Sequence, residues 1–284
     1  MLTRSWLFVP GDSERKLARA GASGADVLLL DLEDSVAPSR KTAARDIARD
    51  FMQTAPPQWV RINALDSGHA DADLDAVMPG RPSGILLPKC CGGADVQHLS
   101  AKLFVREAQC GIEAGATRIL ALATETAASL FAMGSFSNAS ARLVGLTWGA
   151  EDLSAALGAQ TSRLPDDALA APYALARALT LLGARAANVA AIDTVFTALA
   201  DEDGLRAECE AALRDGFDGK LAIHPAQIPV INAAFTPSSA AVATAWRVVE
   251  AFAAAPEAGA IALDGRMLDR PHLLRAQHLL TRIP

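Results

Sequence analysis

Short apolar segments alternate with longer segments of helical character along most of the chain. Eight of them are predicted to be β-strands, with bounds 5–10, 27–32, 59–63, 84–89, 119–125, 143–148, 189–194 and 220–224. Several are apolar throughout, as expected for parallel strands that are covered on both faces. Because no Gly-x-Gly-x-x-Gly sequence follows the first strand, the pattern predicts a (β/α)8 TIM barrel of the α/β class, not a doubly wound sheet.

A segment of 60 residues follows the eighth strand. It contains an amphipathic helix at 240–255, a turn at 256–259, a short run at 260–272 and a helical stretch at 273–281. We therefore predict a barrel catalytic domain over 1–235 and a short C-terminal helical lid and oligomerisation segment over 236–284.

The composition narrows the function classes. A net charge of −6 and a pI near 5.4 argue against a protein that binds nucleic acid or a membrane surface. No apolar run approaches the length of a bilayer span, and the N-terminus offers no secretory signal. The four cysteines have no metal-ligand spacing, so we expect reduced thiols in a cytoplasmic protein.

Polar residues recur where the predicted strands end. They are Asp31, Glu33, Asp34, Arg61, Asn63, Lys89, Glu125, Glu151, Asp152, Asp193 and His224. In a barrel these positions face one rim, and catalytic residues of TIM-barrel enzymes lie at that rim. The sequence therefore predicts an active site at the carboxyl ends of the strands.

Glu125 and Asp152 are the most informative pair. They are 27 residues apart, which is the length of one strand-helix-strand unit, so the strands they follow should be parallel neighbours. Neighbouring strands lie roughly 4.8 Å apart, so the two carboxylates could bind one small cation. Oxygen ligands without histidine favour a hard ion such as Mg²⁺. The alternative interpretation is that each acid caps the helix after it.

Eight motifs together have the pattern of a known family. They are RSWLFVPG (4–11), LDLEDSV (30–36), VRIN (60–63), LPK (87–89), TETA (124–127), GAEDLS (149–154), GKLAIHP (219–225) and DGRMLDRP (264–271). The chain resembles the citrate lyase β-subunit-like proteins of the HpcH/HpaI aldolase group, which are related to malyl-CoA and citramalyl-CoA lyases. The resemblance runs nearly end to end.

The resemblance implies a fold, a cofactor and a reaction. It implies a TIM barrel with Mg²⁺ at Glu125 and Asp152, and a homotrimer or larger homo-oligomer. The implied reaction is retro-Claisen cleavage of a 3-hydroxyacyl-CoA to acetyl-CoA and a 2-oxo acid such as oxaloacetate. Arg61 is implied to bind substrate, where its guanidinium would face the negative charge that develops on the thioester oxygen. We predict further substrate contacts at Glu125 and at 149–151, that is, Gly149, Ala150 and Glu151.

Two acids and a basic pair extend this site. We predict that Glu33 and Asp34 accept hydrogen bonds from metal-bound waters, the alternative being ion pairs with arginines of the barrel. Arg15 and Arg19 share a helix face, and the resemblance implies contacts with CoA phosphates. A solvated basic face is the alternative.

The remaining polar residues are predicted to have structural or electrostatic roles. Ile223 and His224 are predicted to form a wall of the CoA pocket, with the His224 ring hydrogen-bonded to structure and not acting as a base. Lys89 is interpreted as an electrostatic or structural residue, and Asp193 as structural.

The C-terminal segment carries one more candidate. The resemblance implies that Asp269 is the acid/base towards the acetyl methyl group, acting on its own barrel or on that of a neighbour. Phe8 stands where some relatives have tyrosine, which leaves substrate choice open.

These residues favour a Mg²⁺-dependent lyase acting on citryl-, citramalyl- or malyl-CoA. Three alternatives remain open. The chain could be the β-subunit of a multi-subunit citrate lyase, with partner subunits and an acyl-carrier-protein thioester as substrate. It could be a metal-dependent aldolase of free 2-oxo-3-deoxy acids, or a catalytically silent barrel that only binds such acids.

Overall fold

A closed barrel of eight parallel strands forms the body of the protein. The computed structural model describes residues 3–54 and 58–283. The strands are β1 (Ser5–Pro10), β2 (Val27–Asp31), β3 (Trp59–Arg61), β4 (Gly84–Leu87), β5 (Arg118–Leu122), β6 (Leu143–Thr147), β7 (Ala190–Asp193) and β8 (Gly219–Ala222). Each pairs with its neighbour in chain order, and β8 closes on β1. The predicted TIM barrel is confirmed.

Helices follow the strands and cover the outside of the barrel. They are α1 (Glu14–Gly21), α2 (Lys41–Thr54), α3 (Ala70–Val77), α4 (Gly93–Cys110), α5 (Ala127–Leu130), α6 (Ala150–Leu157), α7 (Ala171–Ala186), α8 (Glu202–Asp215) and α9 (Ile228–Phe235). Two more helices, α10 (Ser239–Ala253) and α11 (Arg270–Leu280), pack against each other in the C-terminal segment. Within the described residues, no helix is long and apolar enough to cross a membrane.

Most strands end earlier than their sequences predict. β3 ends at Arg61 instead of 63, and β5 ends at Leu122 instead of 125. β2 ends at Asp31 instead of 32, and the Asp31 carboxylate accepts the main-chain N–H groups of Glu33 (2.9 Å) and Ser35 (3.2 Å). These local bonds compete with strand pairing and turn the chain at the rim.

Side chains point alternately into the barrel and towards the helices along each strand, and this divides the core into two layers. In β2, Val27 and Leu29 point into the barrel, while Leu28 and Leu30 pack towards the helices. The inner layer consists of Trp6, Val27, Leu29, Leu86, Leu120, Leu122, Ile192 and Leu221. Its upper members form an apolar floor beneath the rim.

The C-terminal segment differs in detail from the prediction. The run at 260–272 contains a β-hairpin, β9 (Ala260–Leu263) with β10 (Arg266–Asp269), and the last helix begins at Arg270 instead of 273. The Asp264-Gly265 turn, with both residues at positive φ, is the signal that sequence reasoning missed. The predicted boundary at 235/236 falls between α9 and α10, and the two-domain division stays a prediction.

The end of the C-terminal segment packs beneath the barrel. Arg282 donates to the main-chain carbonyls of Phe217 (3.3 Å) and Asp218 (3.1 Å), just before β8 begins. This is the end of the barrel opposite the rim. The four cysteines, Cys90, Cys91, Cys110 and Cys209, are free.

A buried ion pair fixes the entry to β5 and β6. Arg142 contacts the Glu107 carboxylate through both terminal nitrogens (2.5 and 2.6 Å), and that carboxylate also accepts the N–H groups of Gly115 and Thr117 (both 2.9 Å). Both side chains are buried. The pair anchors the end of α4 beneath the two strands that lead to Glu125 and Asp152.

We expect Glu107→Gln to lower the free energy of unfolding by about 3 kcal/mol, because it leaves the Arg142 charge buried with a weaker partner. Urea unfolding measures this. The exposed Glu113→Gln is the matched control and should change stability by less than about 0.5 kcal/mol. Equal effects of the two substitutions would contradict the role of the buried pair.

Candidate active site

Arg61 is the centre of a charge network at the rim. Its Nε and Nη2 atoms donate to the two oxygens of Asp31 (2.7 and 2.6 Å). Its Nη1 atom lies 3.0 Å from Glu33 and 3.5 Å from Asp34. The guanidinium carbon lies 4.8 Å from the centre of the Phe8 ring, within cation–π range. Arg61 is therefore held rigidly, with a carboxylate on one side and an aromatic ring against it.

Asp31 and Lys41 are the two site residues to which sequence reasoning gave no role. Asp31 lies directly opposite Arg61 in the β2–β3 register, so the opposite charges at neighbouring strand ends were a usable signal. Lys41 donates to the main-chain carbonyl of Glu33 (2.7 Å) and to the side chain of Asn63 (2.7 Å). Lys41 therefore stabilises the turn that follows β2. These contacts join separate segments of the chain, and no local sequence pattern predicts them.

Lys89 connects the acids of the β2 turn to the predicted metal ligands. Its ammonium lies 2.8 Å from Glu33, 3.6 Å from Asp34 and 3.4 Å from Asp152. Its main-chain N–H donates to Glu125. The residue has a left-handed conformation, with φ of +49°, which is uncommon for lysine. One residue thus contacts both Glu125 and Asp152, as expected of an electrostatic or structural residue.

Two short segments carry the predicted metal ligands. Glu125 follows β5 and precedes Thr126, whose hydroxyl caps α5. Asp152 lies in the first turn of α6, after Gly149, whose N–H donates to the Thr124 hydroxyl at 3.2 Å. Helix capping at Glu125 therefore falls to its neighbour, and the carboxylate of Glu125 faces the rim.

Burial sets the protonation of the acids. It raises the pKa of Glu125 to about 8 and that of Glu33 to about 7. For Asp31, burial also acts to raise the pKa, but the adjoining Arg61 charge and hydrogen bonds outweigh it and the pKa is lowered. The site therefore contains two carboxyl groups that need further positive charge to ionise fully at neutral pH.

The residues fit a hard divalent cation. Five acids gather at this part of the rim: Asp31, Glu33, Asp34, Glu125 and Asp152. Three cations, Arg61, Lys89 and Lys41, face them, so the negative charges would outnumber the positive ones only if all five acids were ionised, and a bound divalent cation would favour that state. Within the described residues, no three His, Cys, Asp or Glu side chains form a cage of their own. Mg²⁺ suits this arrangement because it binds through one or two carboxylates and keeps several waters.

Glu33 has spare acceptor capacity for such waters. Its Oε2 atom is buried and has no aligned hydrogen bond within the described structure, although Arg61 lies 3.0 Å away. A buried carboxylate oxygen without a donor is costly. Both interpretations of Glu33 and Asp34 thus have support, since they pair with Arg61 and still present free oxygens.

A cavity of about 290 Å³ opens between these groups. Arg61, Glu125 and Asp152 line it, and so do Gly149, Ala150 and Glu151. The N-terminus of α6 therefore faces the cavity, and main-chain N–H groups there suit an anionic oxygen. The structure brings the predicted substrate contacts together.

A second cavity of about 370 Å³ adjoins the first. Arg15, Arg19, Ile223 and His224 line it, together with Phe8, and Phe8 and Ile223 also line the first cavity. The His224 ring accepts the main-chain N–H of Ala226 at 3.2 Å, which agrees with its predicted structural hydrogen bond. The two cavities therefore share part of their walls, with the acids lining one and the basic pair lining the other.

Asp269 lies away from this cluster. It ends β10, and its carboxylate is 2.5 Å from the Nδ1 atom of His272. Among the described residues, no hydrogen bond or ion pair joins the segment from 236 onwards to the acids of the rim. The structure of one chain therefore does not bring Asp269 to the site.

Asp193 supports the wall of the site from below. It accepts the indole N–H of Trp148 (2.6 Å), contacts Arg177 (3.3 Å) and lies 3.7 Å from the buried Lys220. Trp148 in turn lines the first cavity. This agrees with the structural role that the sequence suggested.

Comparison with known proteins is consistent with this geometry. The model of the HpcH/HpaI aldolase/citrate lyase family matches residues 4–225. The citrate lyase subunit beta-like protein of Mycobacterium tuberculosis (strain H37Rv) is 37% identical over 277 residues, covering 98% of this chain and 94% of the relative. The citrate lyase subunit beta of Leuconostoc mesenteroides subsp. cremoris is 35% identical and covers 98% and 92%. A (3S)-malyl-CoA thioesterase of Cereibacter sphaeroides (strain KD131) is also 35% identical and covers 98% and 94%.

A solved structure agrees along the whole chain. The crystal structure of CitE from Mycobacterium tuberculosis, in complex with magnesium, acetoacetate and coenzyme A, has a TM-score of 0.80 at 36% identity and covers 99% of this chain and 98% of that one. The closed barrel and its acid-rich rim define an α/β-barrel enzyme of the carbon–carbon lyase class. The chain belongs to the HpcH/HpaI aldolase/citrate lyase family, and the predicted resemblance is confirmed.

The raised pKa of Glu125 predicts a pH-dependent stability. Between pH 4.5, where an ordinary glutamate titrates, and pH 8, the folded protein keeps a proton that the unfolded chain releases. The free energy of unfolding therefore falls as pH rises through this window. We expect Glu125→Gln to remove this slope, so that the variant gains stability over the wild type from pH 5 to pH 8, measured by urea unfolding in EDTA. A difference that does not change with pH would contradict the assignment.

Proposed function

We propose that this protein is a Mg²⁺-dependent lyase that cleaves a 3-hydroxyacyl-CoA, of the citryl, citramalyl or malyl type, to acetyl-CoA and a 2-oxo acid. The observation that carries the proposal is the pair of adjoining cavities, one with Glu125, Asp152 and Arg61 and the other with Arg15 and Arg19. A charged acid at one end and a nucleotide-bearing thioester at the other fit this arrangement.

The reaction breaks the bond between carbons 2 and 3 of the acyl group. The 3-hydroxyl loses its proton and becomes the oxo group of the released acid, while the thioester becomes an enolate that takes up a proton at its methyl carbon. Mg²⁺, held by Glu125 and Asp152, would supply Lewis-acid polarisation of the oxo acid. Structures of relatives with magnesium and acetoacetate or oxaloacetate support this cofactor.

Arg61 is the residue that we assign to the thioester oxygen. Its contacts with Asp31 and Glu33 fix the guanidinium in place, so little reorganisation is needed as negative charge develops. The N–H groups of Gly149, Ala150 and Glu151 would hold the carboxylate of the oxo acid. Glu33 and Asp34 would orient metal-bound waters.

The second cavity is proposed to hold coenzyme A. Arg15 and Arg19 lie on one face of α1 and line it, and both suit phosphate groups. Ile223 and His224 form its other wall. A relative bound to coenzyme A supports this placement.

The free thiols support action in the cytoplasm.

Asp269 is proposed to act on a neighbouring copy in a homotrimer or larger oligomer. Within one chain the C-terminal segment ends beneath the barrel, where Arg282 is anchored to Phe217 and Asp218. The hairpin that carries Asp269 is therefore available to cover the rim of another barrel. There the carboxyl group would transfer a proton to the enolate carbon.

The relatives support two alternative or additional activities. The similarity to a (3S)-malyl-CoA thioesterase favours hydrolysis of the thioester as a second activity, giving malate and free CoA. The similarity to citrate lyase subunit beta favours an acyl-carrier-protein substrate within a citrate lyase complex. The Arg15/Arg19 cavity argues against the aldolase of free acids, which has no nucleotide to bind.

We expect Glu125→Gln or Asp152→Asn to reduce Mg²⁺-dependent cleavage at least about 1,000-fold while the barrel stays folded, because both residues lie on the rim. The assay follows acetyl-CoA and the 2-oxo acid from citryl-, citramalyl- and malyl-CoA, with and without EDTA. The exposed Glu113→Gln, outside the rim, is the control. Normal turnover in either variant, or full activity in EDTA, would refute the metal site.

Mixed oligomers test whether Asp269 serves a neighbour. Asp269→Asn and Glu125→Gln should each be inactive, one with an intact metal site and the other with an intact lid. After subunit exchange, activity should return, because some interfaces then combine a complete lid with a complete site. If verified exchange restores nothing, the residue acts on its own barrel or has no catalytic role.

A further inference from the structure

The hairpin of the C-terminal segment has an inner and an outer face. Ile261, Leu263 and Leu268 pack against the small apolar core that the segment forms for itself with α10 and α11. Because side chains alternate along a strand, Met267 and Asp269 are turned to the opposite face, and Met267 is 74% exposed there. The face that carries Asp269 is therefore open to the outside of the chain.

The backbone of Asp269 is fixed by two elements. The residue pairs with Ala260 in the antiparallel hairpin, and it is also the N-cap residue of α11. Its side chain accepts the main-chain N–H of His272 in the first turn of that helix. The N-terminus of a helix favours a negative charge, so the carboxylate is stabilised at this position.

His272 makes the one side-chain hydrogen bond to this carboxylate among the described residues. Its Nδ1 atom lies 2.5 Å from Oδ1 of Asp269 and 3.2 Å from the main-chain nitrogen of Asp269. One ring nitrogen cannot donate to the carboxylate and accept from the main-chain N–H at the same time. A separation of 2.5 Å requires a proton between the two atoms, and a hydrogen bond to an ionised carboxylate is the stronger of the two contacts. Nδ1 is therefore the donor and Oδ1 the acceptor.

The hydrogen bond, and not packing, selects the orientation of the two side chains. The side chain of His272 is 38% exposed and that of Asp269 is 44% exposed. An aspartate side chain with this exposure has several staggered rotamers open to it. The ring nitrogen and the helix N–H together hold the carboxyl group in one of them.

We infer that His272 is a positioning residue, which holds the carboxyl group of Asp269 in the orientation needed for proton transfer to the enolate carbon. The inference rests on the proposed function, in which Asp269 is the acid/base, and it adds the residue that orients this acid. A reacting group that is displaced by about 1 Å can cost about 100-fold in rate.

The step is a single proton transfer. The O–H bond of the Asp269 carboxyl group breaks, and the electron pair of the enolate forms the new C–H bond. The electron pair of the broken bond stays on the carboxylate, which accepts the Nδ1–H of His272. His272 keeps its own proton throughout.

Kinetics of the full-length oligomer with Mg²⁺ test the inference, with whichever of citryl-, citramalyl- and malyl-CoA the wild type cleaves. We expect His272→Leu to lower kcat about 10- to 100-fold and to leave KM unchanged, because the ring orients the acid without touching the substrate. The solvent isotope effect on kcat should increase, since proton transfer becomes slower than the other steps. A loss of folded protein would change neither KM nor the isotope effect in this way.

Two further variants make the comparison specific. His272→Asn should recover most of the loss, because its side-chain amide can donate to the carboxylate from nearly the position of Nδ1. His278→Leu is the control at the other end of α11, where the ring lies 3.7 Å from Asp218, and it should keep the wild-type kcat.

Asp269→Asn in the same assay separates the inference from the function on which it rests. If Asp269→Asn is inactive and His272→Leu keeps the wild-type kcat, the inference alone is overturned. Equal losses in His272→Leu and His272→Asn also overturn it, because the hydrogen bond would then not be the cause. If Asp269→Asn is fully active, or if the wild type cleaves no thioester, the proposed function fails and the inference fails with it.

Nitrogen NMR of the labelled histidine rings tests the hydrogen bond without any assay of activity. The chain has five histidines, and the His272→Asn variant identifies the resonances of His272 by their absence. We expect a protonated Nδ1 in the wild type and a shifted Nδ1 resonance in Asp269→Asn. An unprotonated Nδ1 in the wild type, or the same resonance in both proteins, would overturn the inference.

Discussion

Carboxylates that share one rim repel one another, and the structure of this site depends on how that repulsion is compensated. Five acids gather after β2, β5 and β6, and burial raises the pKa of two of them, Glu125 and Glu33. Arg61 and Lys89 hold the cluster together from two sides, and Lys41 supports it from behind. A divalent cation would favour the ionised forms of Glu125 and Glu33, so the cluster is suited to bind one.

The barrel supplies the rigidity that this compensation needs. Strands β5 and β6 are hydrogen-bonded neighbours, so the segments that carry Glu125 and Asp152 emerge side by side. Their opposite ends are anchored by the buried Arg142–Glu107 pair. Because the inner layer of apolar side chains fills the barrel, the site is confined to the rim, with hydrocarbon as its floor.

The sequence predicted the features that follow from local pattern. The apolar runs predicted eight strands, and polar residues at their ends predicted which residues share the rim. Contacts between distant segments were harder to predict. The Asp31 pairing with Arg61 depends on register between strands, and the links from Lys89 to Glu33 and Asp152 depend on a left-handed turn that no propensity favours for lysine. The hairpin that carries Asp269 was missed because each of its strands is only four residues long, although Asp264-Gly265 is a typical hairpin turn.

Glu125 and Asp152 are proposed to form a binding site for a hard divalent cation beside Arg61. Anomalous diffraction from crystals grown with Mn²⁺, which replaces Mg²⁺ and scatters anomalously, tests this directly. We expect one strong peak between the carboxylates of Glu125 and Asp152, about 2.1 Å from an oxygen of each. A peak at other residues, or no peak at a saturating Mn²⁺ concentration, would contradict it.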